Sequence, residues 1–181
     1  MHSKKSGKAL FTLVLLLLVF PRVGRTQSNG LQNLFSDYYE FQLREAPTQA
    51  TFAGRAEYND RWDDPSPEHQ RQYLASLQQF LRRLHGIPKT GLTARDRLSY
   101  ELLDRQLNEK IEEVEIVSTF YSVNHLVGGH LNIFSTMAVA PASTVKDYEN
   151  EVARLRALPQ WVDQTIAAAN LAIAQKKFSQ N

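Results

Sequence analysis

The sequence predicts an all-α protein, an amphipathic bundle of about five helices behind an export signal. Three observations carry that reading. Apolar residues recur at three- and four-residue spacing in several windows, the stripe of a helix with one buried face. Helix starts and stops are marked by Ser66-Pro67, Gly86 with Pro88, Thr93 and Pro159. No run of alternating apolar and polar residues suggests a strand series.

The first 26 residues read as a signal peptide. Lys4, Lys5 and Lys8 form a basic start, and residues 9–20 (ALFTLVLLLLVF) form an uncharged apolar run closed by Pro21. That run fits a signal core and falls short of the roughly 20 residues needed to span a bilayer. Gly24 and Thr26 are small enough for the −3 and −1 positions, so cleavage is expected near Thr26–Gln27, leaving 27–181 as the body. An uncleaved N-terminal anchor is the alternative. The leader holds five basic residues and no acidic one; removing it leaves 16 basic against 19 acidic residues, a balance of −3. The isoelectric point of about 8.9 therefore reflects the leader. A nucleic-acid partner is excluded for the body, because phosphate binding needs a clustered positive excess. Contact with a membrane is expected through the leader alone. Cysteine is absent, which rules out disulfides, thiolate metal sites and a thiol nucleophile. An exported chain without cysteine suits a periplasm better than a disulfide-rich secreted module.

Along the body, the first helix covers 31–44, with Leu31, Leu34, Phe35, Tyr38 and Phe41 on one face and Pro47 closing it. Residues 48–65, rich in Thr, Gly, Asn, Asp and Pro, read as a long connection. The second helix has Ser66 as N-cap, Pro67 in its first turn and Glu68 at the positive end of the macrodipole. Its stripe is Tyr73, Leu74, Leu77, Phe80, Leu81 and Leu84. The third starts at Thr93, with Leu98, Leu102, Leu103, Leu107, Ile111 and Val114 expected to be buried and Glu101–Arg105 as an exposed pair. Residues 118–142 carry no charge, and Gly128-Gly129 breaks any helix there. So apolar a stretch is expected to lie against something. A fourth helix starts at Ser143 or Thr144 with Val145, Tyr148, Val152 and Leu155 inward. Pro159 restarts the chain as a fifth, with Trp161, Val162, Ile166, Ala169 and Ile173 inward.

Sites of known chemistry are mostly excluded. There is no His-Glu dipeptide, so the His-Glu-x-x-His zinc helix is ruled out. His125 and His130 are five apart, about 140° around a helix, and do not share a face. Ser143-Thr-Val-Lys146 and Lys89-Thr-Gly91 match fragments of serine β-lactamase motifs in the wrong order, with no Ser-Asp-Asn element between them. Glu109, Glu112, Glu113 and Glu115 read as the solvated face of the third helix, since a general-acid pair needs one desolvated carboxylate. No catalytic residue, metal ligand or cofactor is assigned to this chain.

Several stretches together resemble the N-terminal part of a bacterial family known as domain of unknown function 885. They are Phe35-Ser-Asp-Tyr-Tyr39, Pro47-Thr-Gln-Ala-Thr51 with Gly54, Tyr58-Asn-Asp-Arg-Trp-Asp-Asp64, Leu98-Ser-Tyr-Glu-Leu-Leu103, Asn124-His-Leu-Val-Gly-Gly-His130 and Asp147-Tyr-Glu-Asn150 leading into Arg154-Leu-Arg-Ala-Leu-Pro159. The resemblance implies an exported, helical protein several hundred residues longer than this chain and similar to zinc-dependent peptidases. It places the zinc and its ligands in a C-terminal half that lies beyond Asn181. On that basis the chain is expected to be a truncated N-terminal region, inactive alone, whose partners are the missing C-terminal half and a peptide substrate. Asn124, His125, Gly128, Gly129 and His130 are then candidates to line the substrate cleft. The competing reading is a stand-alone periplasmic helical binding module.

Overall fold

The computed structural model describes residues 23–117 and 129–174. They form six α-helices: α1 Val23–Glu45, α2 Pro47–Phe52, α3 Pro67–His85, α4 Ala94–Val117, α5 Gly129–Val139 and α6 Val145–Ala174. A short 3-10 turn, Ala56–Tyr58, sits between α2 and α3, and no strand occurs among the described residues.

One apolar core joins α1, α3 and α4. Leu31, Leu34, Tyr38 and Phe41 of α1 meet Leu77, Phe80 and Leu84 of α3 and Tyr100, Leu103 and Leu107 of α4, with Leu92 from the connecting turn. The stripes expected on the first two helices are the ones buried. Aromatic rings tie α1 to α3: Phe41 lies 5.0 Å from Phe80 and stacks on Tyr73 at 5.5 Å, and Tyr38 meets Phe80 edge-on at 5.3 Å. The caps are also as expected. The His69 amide donates to Ser66 Oγ at 3.2 Å, and the Asp96 amide to Thr93 Oγ1 at 3.1 Å.

Several expectations are corrected. α1 begins at Val23 rather than Leu31, because nothing between Pro21 and Leu31 stops a helix from propagating backwards. The stretch expected to be an irregular connection opens with α2: Pro47 ends α1, but its fixed φ also suits the first turn of a new helix. Gly54, at φ +75°, closes α2. The Arg55 amide reaches Ala50 O at 2.9 Å and the Gly54 amide reaches Thr51 O at 3.0 Å, the paired bonds of a left-handed helix end.

On α4, Leu98 and Leu102 are 58 and 60 % exposed, while Tyr100 takes a core place. The buried line therefore runs through Tyr100, Leu103 and Leu107. Arg105 pairs with Glu109 at 2.6 Å rather than with Glu101. The acidic run at 109–115 does face solvent.

The fourth and fifth helices expected at Pro159 are a single helix, α6, with Pro159 inside it. Proline costs one hydrogen bond there. Pro159 and Leu155 are both exposed, so the carbonyl left without a donor is on the water side. Thr144, rather than Ser143, caps α6. Its hydroxyl accepts from the Asp147 amide at 3.2 Å, and the Asp147 carboxylate accepts from the Ser143 and Thr144 amides at 3.1 and 2.8 Å. The largest departure concerns which side of α6 is buried. Val145, Tyr148, Val152, Leu155, Val162, Ile166 and Ile173 are exposed, and the helix docks through Asn150 and Arg154. Apolar periodicity marks a face but does not say which neighbour covers it.

Candidate functional site

Three segments far apart in sequence meet at a buried polar joint. α2 supplies Thr48 and Thr51, the turn that follows supplies Tyr58 to Asp63, and α6 supplies Arg154. The short helix places both threonines inward, since residues three apart share a face. Thr48 donates through its hydroxyl to Asp63 Oδ2 at 2.6 Å and through its amide to Asp63 Oδ1 at 2.9 Å. The Thr51 hydroxyl donates to Asn59 Oδ1 at 2.8 Å.

Arg154 is the centre of the joint and is fully buried. Its Nη2 donates to Thr51 Oγ1 at 2.8 Å and to Tyr58 O at 3.0 Å, and its Nε donates to Arg61 O at 3.1 Å. The guanidinium lies over the Trp62 ring at 5.2 Å, and Trp62 Nε1 donates back to Arg154 O at 2.7 Å. Trp62 also meets Trp161, about two turns further along α6, at 6.3 Å. Burial pushes the Arg154 guanidinium below its ordinary pKa, against the longer-range pull of Asp63 and Asp60. Among the described residues, its Nη1 and the buried Thr136 hydroxyl of α5 have no hydrogen-bond partner. The joint offers hydroxyls, amides, a guanidinium and the Asp63 carboxylate, which is held by two hydrogen bonds from Thr48. Its chemistry is that of a structural clamp holding the 53–66 connection between α2 and α6.

A second concentration of polar groups lines a cleft of about 500 Å³ beside α1, α2 and α3. His69 Nε2 lies 3.3 Å from Glu45 Oε2 there, with Tyr73, Gln42 and Lys110 on the walls. Burial raises the Tyr73 hydroxyl to about 12, so it stays protonated as a donor. The other described histidine pair, His85–Asp104 at 2.5 Å, sits on the surface between α3 and α4. No group of three or more His, Asp or Glu side chains among the described residues could hold a metal ion.

Of the cleft candidates expected from sequence, Asn124, His125 and Gly128 lie outside the described residues. Gly129 and His130 form the first turn of α5. The stretches Pro47–Thr51, Tyr58–Asp64 and Arg154–Pro159 build the polar joint, a role that their sequence alone does not reveal. Asn150 and Arg154, polar at i and i+4 on one face of α6, are buried, whereas the other charged residues of that helix are exposed or half-buried.

The fold and the joint define an all-α helical region pinned by a buried arginine. The sequence model of the family described as "Bacterial protein of unknown function (DUF885)" matches residues 47–180, and the chain belongs to that family. The match opens at Pro47, the first residue of α2, and takes in every residue of the joint. No curated protein and no solved structure matches the chain.

Proposed function

We propose that this chain is the exported N-terminal helical region of a metallopeptidase-like protein, inactive alone, and that 118–142 faces the protein's C-terminal half. The observation that supports this is α5. It is uncharged, and it leaves Phe134 80 % exposed and Val139 47 % exposed. An aromatic ring as large as Phe134 left in water on an uncharged helix is consistent with cover by another part of the protein. Cleft residues between Asn124 and His130 would then border a peptide substrate bound by the completed protein. The leader supports periplasm or secretion as the location in this reading.

The described residues do not fit a catalytic zinc. Such a site needs about three converging ligands and an activating base. Here His69 is engaged by Glu45 and His85 by Asp104 at separate places. Zinc therefore belongs to the C-terminal half in this reading, and no catalytic step is assigned to this chain's residues.

Two measurements test the proposal. After zinc loading and dialysis, the purified chain is expected to hold far less than one zinc per chain and to leave peptides intact, with hydrolysis appearing when the C-terminal half is supplied. One tightly bound zinc with hydrolysis by the chain alone would overturn it. Intact-mass analysis of the periplasmic fraction is expected to find a mature start close to Gln27; recovery only as a full-length membrane species would refute export with cleavage. The stand-alone binding module remains the second reading, favoured by the uncovered apolar face of α6.

A further inference from the structure

The exposed face of α6 has a strict repeat. Val145, Val152, Pro159, Ile166 and Ile173 recur every seven residues, and Tyr148, Leu155, Val162 and Ala169 follow the first four by three. These are the a and d positions of a heptad, sustained over the whole helix. Their larger members are 39 to 77 % exposed, from Val162 to Val145. A globular helix normally shows a wider stripe, and a two-in-seven seam is the pattern of a coiled coil. The rest of the chain holds α6 from the opposite side, through Asn150, Arg154 and Trp161, so the seam faces away from the body.

We propose that α6 pairs with α6 of a second copy of this chain, parallel and in register, as a two-stranded coiled coil. Residue choice supports a dimer of this orientation. Four of five a positions are Val or Ile, the a-position choice of two parallel strands, and Leu155 supplies the matching leucine at one of the four d positions. Charge agrees. In a parallel pair the g residue Glu151 faces the e residue Arg156 of the other copy, twice by symmetry, and the remaining g–e pairs bring no like charges together: Thr144 with Glu149, Leu158 with Asp163, Thr165 with Asn170. In-register pairing also sets the two Pro159 turns at one level, so any bend they impose is shared across the two-fold axis. The pairing goes beyond the reading given above and holds whether or not a C-terminal half completes a zinc site.

The absence of cysteine gives a direct test on the full chain. Val152→Cys places a thiol in an a layer, where the two copies face each other. Ala153→Cys places one on the exposed surface a residue off the seam. Under mild oxidation Val152→Cys is expected to form a disulfide-linked dimer at least about tenfold faster than Ala153→Cys. By sedimentation the unmodified chain is expected at twice the monomer mass, and Leu155→Asp at the monomer mass with its far-UV circular dichroism unchanged. Equal cross-linking of the two cysteine variants, or a monomeric unmodified chain, would overturn the proposal. So would a Val152→Cys thiol that resists alkylation without cross-linking, which would assign the seam to a different segment or partner.

Discussion

Arg154→Ala is expected to lower the unfolding free energy by about 3–5 kcal/mol, the range seen when one member of a buried charged network is removed. The side chain is fully buried and satisfies Thr51 Oγ1 and the Tyr58 and Arg61 carbonyls. Its loss leaves those acceptors dry and opens a cavity beside Trp62. Arg154→Met is expected to be milder, because it refills the space and removes a desolvated charge that has no ion-pair partner within 4 Å among the described residues. Arg154→Lys keeps the charge but cannot reach three acceptors in the planar fork geometry, and should fall between them. Urea titration of the three variants checks the order. A loss below about 1 kcal/mol for Arg154→Ala would show that the joint is incidental to stability.

The second large effect separates the two faces of α4. Leu107→Ala is expected to cost about 2.7–5 kcal/mol, since Leu107 is fully buried between α1 and α3. Leu102→Ala, five residues earlier on the same helix, is expected to stay within about 0.5 kcal/mol. Leu102 is 60 % exposed on the wall of an open groove of about 680 Å³ between α1 and α4. Thermal melts of the pair suffice. Similar losses for both would mean that the buried line of α4 runs through Leu98 and Leu102 instead.

The parts of this fold legible from residue order are those where one helix solves its own problem. α1 and α3 carry a wide apolar stripe, and α3 also carries Ser66, Pro67 and Gly86 at its ends, so local pattern and tertiary burial agree. α2 was invisible because six residues hold too little periodicity to register against a Thr- and Gly-rich background. α6 misled because its apolar stripe is real yet faces outward. Its docking is centred on Arg154, which reaches a threonine and two backbone carbonyls about a hundred residues away, flanked by Asn150 and Trp161. Such a joint depends on complementarity between distant polar groups, and no local period encodes it. For the expected cleft the order of Asn124 to His130 was readable, but the groups that would converge on it are not set by the spacing of that stretch.

The chain contains two tryptophans, and both stand at the same seam: Trp62 from the connection and Trp161 from α6, 6.3 Å apart. The apolar core of α1, α3 and α4 is instead furnished with Tyr38, Tyr73, Tyr100, Phe41 and Phe80. Indole emission in this protein is therefore a local gauge. It reports whether α6 is seated on the connection and is blind to the bundle behind it, while backbone ellipticity averages over everything. Any denaturation followed by the two signals side by side resolves the seating of the last helix from the melting of the bundle, with no label introduced.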